Sequence, residues 1–206
     1  MADAQFLSDR QSTTVSTNKV LRNTYLLLSM TLLFSAAMAG VAVATNAPYM
    51  GWLPLIISFG LLFAISKMRN SSWGIVLVFA FTGILGFSVG PIVNFYMQTA
   101  GGSQTVLTAL SLTGVIFLSL SGYTLVTQKD FSFMENMLTV GIFSLFGFTI
   151  VGVFFPSTLL TLMISWFGVL LFSGYILYDT SLVLYRLGPD DAIHASLVLY
   201  LDIVNV

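Results

Sequence analysis

Apolar runs fill most of the chain, and short polar or Gly/Pro-containing stretches divide them into seven predicted helices. The run from Tyr25 to Ala44 alone holds 20 uncharged residues, about 30 Å of helix, which is enough to cross the hydrocarbon core of a bilayer. The last run is still apolar at Val206 and is too short to span, so we expect a truncated helix there. The predicted helices cover about residues 20–44, 50–66, 73–97, 104–127, 135–155, 157–186 and 192–206.

Composition identifies the class of protein. Hydrophobic residues make up 57% of the chain and charged residues 7%, with a mean hydropathy of +0.95, whereas a soluble domain carries about 25% charged residues. The sequence therefore predicts an all-α polytopic membrane protein. The net charge of -1 and the lack of a basic patch argue against nucleic acid as a partner. Without cysteine, the chain has no disulfides, thiolate chemistry or cysteine-based metal sites.

The basic residues fall in alternate connections between the predicted helices. The positive-inside rule places these connections in the cytoplasm, so the N-terminus is predicted inside and seven spans bring the C-terminus outside. Because no cleavable signal sequence is recognisable, residues 1–19 are predicted to be a cytoplasmic tail and residues 20–206 a seven-helix membrane domain. The basic residues are Arg10, Lys19, Arg22, Lys67, Arg69, Lys129 and Arg186.

Two carboxylates, Asp179 and Asp202, lie inside strongly apolar runs. An isolated aspartate in a membrane helix costs about 2.5–3.5 kcal/mol, so such residues are candidates for function. The two aspartates are about equally far, roughly 11 residues, from the middle of the turn at residues 188–191. An antiparallel hairpin of helices six and seven would bring both to the same depth, roughly 15 Å from the turn.

Two ionised carboxylates about 4 Å apart repel by roughly 4 kcal/mol at an effective dielectric of about 20. We therefore expect the pair to hold one proton and to respond to pH. Without that proton, the pair would attract a divalent cation through oxygen ligands. The sequence leaves open that each carboxylate has its own polar partner, or that Lys67 or Arg69 neutralises one. Arg186 and His194 are expected nearer the cytoplasmic mouth.

Residues 86–90 read Gly-Phe-Ser-Val-Gly and match the G-x-S-x-G pattern of serine hydrolases. That pattern needs a strand-turn-helix context and a base, but here it lies within a membrane helix and the only histidine is His194. We interpret the glycines as a close-packing face and predict that the protein is not an enzyme. Gly90, Pro91 and Asn94 predict a kink that borders a pore or crevice, with a simple packed kink as the alternative.

Four segments together resemble the Bax inhibitor family of seven-helix membrane proteins, and the resemblance covers most of the chain. They are GILGFSVGP at 83–91, ALSLTGVIF at 109–117, LYDT at 177–180 and LYLDI at 199–203. Within the family the chain is most similar to the gamma-proteobacterial inner-membrane branch. The resemblance implies a pH-sensitive calcium leak around a central helix seven, with Asp179 and Asp202 as the paired aspartates. It also implies association with, and restraint of, a membrane-anchored AAA protease.

These observations lead to two functional expectations. The first is a pH-sensitive calcium leak channel or transporter, gated by Asp179 and Asp202, which would also be the Ca²⁺ ligands. The alternative is a non-conducting modulator of the membrane-anchored AAA protease that acts through the tail at residues 1–19. Either form would reside in the bilayer of a bacterial inner membrane, without a cofactor and with Ca²⁺ as the transported ion in the first case.

Overall fold

A computed structural model describes residues 2–68, 71–188 and 191–206. The described residues form seven α-helices and no strand, which confirms the all-α prediction and agrees with the predicted number of helices. A short 3-10 helix, Ser132–Met134, precedes α5. The helices are α1 Ala2–Ala44, α2 Leu53–Met68, α3 Ser72–Met97, α4 Gly102–Thr127, α5 Glu135–Phe154, α6 Thr158–Tyr185 and α7 Ala192–Asn205.

Five helical segments among the described residues are long and apolar enough to cross a membrane. The other two helices are shorter, with 16 residues in α2 and 14 in α7, so the predicted count of seven spans stays a prediction. Helix one differs from its predicted bounds, because the backbone of α1 is helical from Ala2 rather than from about residue 20. The spanning segments are Lys19–Ala44, Trp73–Met97, Gly102–Thr127, Ser132–Phe154 and Thr158–Tyr185.

Long helices are the expected solution in lipid, because a helix satisfies its backbone hydrogen bonds internally where no water is available. Hydroxyl side chains are also hydrogen-bonded within their own helix: the Thr31 hydroxyl donates to the Leu28 carbonyl at 2.9 Å. The chain reverses direction at residues with positive φ, which are glycines or residues that tolerate the left-handed region. These are Asn46 (50°), Gly51 (58°), Gly101 (75°) and Gln128 (50°).

The described chain divides into two compact units. The first contains the residues up to Ser111 together with Leu187–Tyr200, and the second contains Leu112–Arg186 together with Leu201–Val206. Both α4 and α7 therefore contribute to each unit.

In the first unit, α3 packs closely on α1 through two glycines. A Cβ atom on Gly86 would lie 2.6 Å from Ser35 Oγ and 2.8 Å from the Ser35 carbonyl carbon. A Cβ atom on Gly90 would lie 2.9 Å from the Ala39 carbonyl oxygen. Only glycine permits so short an approach, so the prediction that these glycines form a packing face is confirmed.

In the second unit, α5 and α6 pack through two reciprocal glycines. A Cβ atom on Gly174 of α6 would lie 2.9 Å from a Leu138 methyl group of α5, and one on Gly141 of α5 would meet a methyl group of Leu171 in α6. On each of the two helices, a leucine side chain of the other helix therefore fills the space beside the glycine. This contact fixes the register of α6, the helix that carries Asp179.

The α1–α3 contact yields a test of stability. Gly86→Ala should lower the stability by about 1–3 kcal/mol, because the new methyl group meets backbone atoms that cannot move aside. The measurement is thermal unfolding in detergent, followed by the fluorescence of the three tryptophans.

The matched control is Gly114→Ala, since nothing lies within 4 Å of a Cβ atom added at Gly114. That change should be neutral or gain about 0.5–1 kcal/mol from helix propensity. Equal unfolding temperatures for the two variants would contradict the close-packing argument.

Candidate functional site

Asp179 of α6 and Asp202 of α7 meet in the second unit. Their exposed fractions are 7% and 4%, and their side chains are hydrogen-bonded to each other. A carboxylate has only acceptors, so a hydrogen bond between two carboxyl groups requires a proton on one of them. The structure thus brings the two aspartates together, while the roles assigned to them stay predictions.

One oxygen of this pair has no other partner. Asp202 Oδ2 is buried and accepts no hydrogen bond from an N–H group or a hydroxyl group among the described residues. Buried polar atoms are nearly always paired. Only the carboxyl group of Asp179 is in a position to satisfy this oxygen, which agrees with a proton held between the two groups.

The environment of Asp179 is built from neighbouring residues of α6. Thr180 and Ser181 are buried; the Thr180 hydroxyl donates to Ser121 Oγ at 3.3 Å, and Ser181 Oγ accepts from the Phe131 N–H at 3.2 Å. These two bonds tie α6 to α4 and to the segment that precedes α5, on both sides of the carboxylate. Tyr175, one turn earlier on α6, lies close enough to interact electrostatically with both aspartates.

The two aspartates would provide only part of a calcium site. Ca²⁺ takes about six to eight oxygen ligands, and no group of three or more acidic or histidine side chains occurs in the described part of the chain. Carbonyl groups and water would have to supply the remaining ligands. Such an incomplete shell is more typical of an ion in transit than of a resident metal.

Arg186, a predicted charge partner of the aspartates, lies 3.6 Å (Nη1) from Oε2 of Glu135, and Tyr178 lies close enough to the Glu135 carboxylate to interact with it electrostatically. The side chains of Arg186 and Glu135 are 50% and 55% exposed, so the ion pair contributes little to stability. Sequence reasoning missed both Glu135 and Tyr178, although Tyr178 directly precedes Asp179. The result is a polar link between the end of α6 and the start of α5.

The connection between α4 and α5 is charged and locally hydrogen-bonded. The Ser132 hydroxyl and its N–H donate to the Asp130 carboxylate, which lowers the pKa of Asp130. Lys129 donates to the Tyr123 hydroxyl at 3.0 Å, and this bond raises the pKa of Lys129. Both groups are therefore charged at neutral pH and mark this connection as facing water.

Three further predicted charge partners have different positions. The Lys67 ammonium lies 4.6 Å from the centroid of the Phe63 ring, in a cation–π contact one turn along α2. His194 is exposed in the first turn of α7. Arg69 lies outside the described residues.

Tyr200 of α7 is a residue that sequence reasoning missed. Its side chain is 1% exposed, and its hydroxyl lies 2.7 Å from Ser35 Oγ of α1 and donates to the Thr82 carbonyl of α3 at 3.4 Å. Its ring also meets Phe81 edge-on, with 6.3 Å between centroids. The available signal was a tyrosine two residues before a membrane aspartate, since a buried tyrosine hydroxyl normally needs a partner.

The predicted kink residues line a groove in the first unit. α3 stays helical through Pro91, and Gly90 is buried against α1. Pro91 and Asn94 line an open groove of about 510 Å³. Asn94 donates to Asn46 Oδ1 at 3.1 Å. A crevice is thus present beside these residues, while their place on a pore stays a prediction.

Comparison with known proteins was made with the whole chain. The family model described as "Inhibitor of apoptosis-promoting Bax1" matches residues 17–206. An uncharacterized membrane protein of Vibrio cholerae is 43% identical over 94% of this chain and 87% of its own length. The "Modulator of FtsH protease YccA" of Escherichia coli K12 is 39% identical over 97% of this chain and 90% of its own. A relative with the same identity and coverage in E. coli O6:H1 is named "Inner membrane protein YccA".

The Tyr200 contact can be tested with a double-mutant cycle. Tyr200→Phe and Ser35→Ala should each lower the free energy of unfolding. The loss in the double variant should be smaller than the sum of the two single losses, because both substitutions remove the same hydrogen bond. The coupling should be about 0.6 kcal/mol and at most about 1.7 kcal/mol, the range for such bonds in membranes.

Unfolding temperature in detergent measures all three variants. Tyr96→Phe, at an exposed tyrosine, is the matched control and should leave the protein unchanged. If the stability lost in the double variant equals the sum of the losses in Tyr200→Phe and Ser35→Ala, the two hydroxyl groups are not coupled.

Proposed function

Because this chain belongs to the Bax inhibitor family of membrane proteins, we propose that it restrains a membrane-anchored AAA protease of the FtsH type. The observation that carries this proposal is its 39% identity, over 97% of this chain, to a protein named as a modulator of FtsH protease. An identity of this extent covers the membrane helices as well as the connections between them. The name of the second E. coli relative supports the inner membrane as the location.

The protein would act as a binding partner of the protease, without catalysis of its own. Residues 1–18 precede the first spanning segment, Lys19–Ala44, and their sequence is mostly polar. A polar segment at a chain terminus is accessible to a partner on the water side of the membrane. We assign the contact with the protease to this segment, on the side that the basic residues predict to be cytoplasmic.

Deletion of residues 2–18 tests this assignment. Co-reconstituted with an FtsH-type protease, the full chain should slow the degradation of a membrane substrate, and the deletion variant should not, because it lacks the proposed contact. The measurement is the degradation rate in proteoliposomes at matched protein levels.

The control is a variant with a substitution elsewhere, Asp179→Asn with Asp202→Asn, which should restrain the protease as the full chain does. If the full chain itself leaves degradation unchanged, the proposed function fails. If the deletion variant still restrains the protease, only the role of the tail fails.

A second function, a pH-sensitive leak for Ca²⁺, is supported by the buried aspartate pair. With one proton, the pair is a hydrogen bond that joins α6 to α7. Without it, two anions about 4 Å apart would repel by roughly 4 kcal/mol at an effective dielectric of about 20. The repulsion would loosen this contact, and the two carboxylates would then present oxygen ligands to a divalent cation.

Calcium flux into proteoliposomes across roughly pH 6 to 8 tests this second function. The wild type should conduct more at the higher pH, because the shared proton is then lost. Asp179→Asn and Asp202→Asn should each abolish this pH dependence, since an amide can hold the contact without titrating.

The tail-deletion variant is the control, because it leaves both aspartates in place and should conduct as the wild type does. A wild-type protein without flux refutes the leak. Flux with the same pH profile in the two asparagine variants refutes the role of the pair.

A further inference from the structure

Two grooves lie along one side of α3 in the first unit. The first has a volume of about 460 Å³, and every residue that lines it is apolar, with Phe34 from α1, Ile57 from α2 and Phe79 from α3 among them. The second is the groove of about 510 Å³ at the C-terminal end of α3, which contains Asn94 and Gln98. Both volumes are in the range of sites for small ligands.

The two grooves follow one another along one face of α3, and together they are called the furrow. Ala80, Ile84 and Phe87 line the first, and Pro91 and Asn94 line the second. These positions are spaced three and four residues apart, so they share one face of the helix. The α1–α2 connection borders both grooves, because Met50 lines the first groove and the adjacent Tyr49 lines the second.

Along α3 the residues that line the furrow run from Val76 to Gln98, about 33 Å of helix. Half of a bilayer of about 40–45 Å, head groups included, is about 21 Å. A lipid with its head group at Asn94 therefore reaches about as far as Ala80, which lies in the apolar groove. The apolar groove then lies at the depth of acyl chains, and the amide end lies at the depth of head groups.

The polar end of the furrow is an uncharged amide cluster. Asn94 donates to Asn46 at 3.1 Å, and Gln98 donates to Asn94 Oδ1 at 3.3 Å. Each amide has two N–H donors and an oxygen acceptor, so these two bonds leave both donors and acceptors available for a ligand. Residues 23–66 and 70–128 contain no Asp, Glu, Lys or Arg, so no charged side chain of α3, of the α1–α2 connection or of the α3–α4 connection can pair with an ionic head group.

This chemistry selects among lipid head groups. An anionic head group would find no cation here. A zwitterionic head group with a primary ammonium can donate to the amide oxygens and accept from the amide N–H groups at the same time. A trimethylammonium group has no N–H to donate, so it would lose half of these bonds.

The dimensions favour an acyl chain over a helix of a partner protein. The apolar groove borders α3 from Val76 to Phe87, about 16 Å of helix. A partner helix of that length, about 10 Å across with its side chains, would fill on the order of 1,300 Å³. The apolar groove has about 460 Å³, roughly a third of that volume. An acyl chain is thinner than a helix with its side chains, so it is the occupant that fits this groove.

We propose that this furrow binds one phospholipid with a phosphoethanolamine head group. An acyl chain occupies the apolar groove between α1, α2 and α3. The head group lies on the Asn46, Asn94 and Gln98 amides.

Native mass spectrometry of the full chain in detergent tests the proposal. The probes are phosphatidylethanolamine, phosphatidylcholine and phosphatidylglycerol with identical acyl chains. The wild type should bind phosphatidylethanolamine about tenfold more tightly than the other two. Gln98→Leu alone, and Asn94→Leu with Gln98→Leu, should remove this preference, because they remove amide donors and acceptors at the head-group end.

Ala80→Trp tests the apolar end. Its side chain would fill the groove and should weaken the binding of all three lipids about tenfold. Ala36→Trp is the matched control, because Ala36 is exposed on α1 and does not line either groove; it should bind as the wild type does.

Equal binding of the three lipids by the wild type would overturn the head-group assignment. Unchanged binding by Ala80→Trp would show that the lipids adhere elsewhere on the apolar surface and would overturn the site. The single variant Gln98→Leu changes an exposed residue, so it keeps the head-group test valid if the double variant does not fold.

Discussion

Helices in lipid gain no hydrophobic energy by meeting one another, so close packing and hydrogen bonds must hold them together. In the first unit this role falls to Gly86 and Gly90, which let α3 approach the backbone of α1. Ser35 lies at that approach and its hydroxyl is also hydrogen-bonded to the hydroxyl of Tyr200. The second unit uses the same device in the reciprocal glycine–leucine contacts of α5 and α6. The small residues therefore determine where the polar side chains can meet.

The lack of water inside the membrane also explains why Asp179 and Asp202 are paired. Each alone would cost about 2.5–3.5 kcal/mol in a spanning helix, and one shared proton removes one of the two charges. On α7, Tyr200 and Asp202 are two residues apart and therefore leave the helix about 200° apart. In the first unit, the part of α7 that carries Tyr200 is well covered, since Ala195, Leu199 and Tyr200 are buried. The contacts of the Tyr200 hydroxyl with Ser35 and Thr82 fix the orientation of this part of the helix.

Periodicity, charge and turn residues predict the helices well, because apolar runs and basic connections are local properties of the chain. They miss contacts that depend on side-chain direction across long separations. Ser35 and Tyr200 are 165 positions apart, and no local pattern links them. The partners of Glu135 and Lys67 are equally hidden in the sequence. Glu135 pairs with an arginine and Lys67 contacts a phenylalanine ring, and a charge alone does not reveal which kind of partner it has. The continuation of α1 back to Ala2 was missed because polar residues near a terminus resemble a tail.

The two proposed functions use different parts of the chain, yet α6 relates them physically. Asp179 lies at the aspartate pair, and the adjacent Tyr178 interacts electrostatically with Glu135, which pairs with Arg186 at the end of the same helix. Consecutive residues of a helix cannot move independently, so a shift of α6 at the pair also displaces Tyr178. The exposed Glu135–Arg186 pair is weak enough to yield to such a shift. Loss of the shared proton would then alter a charged surface beside the α4–α5 connection, on the side that the basic residues predict to face the cytoplasm.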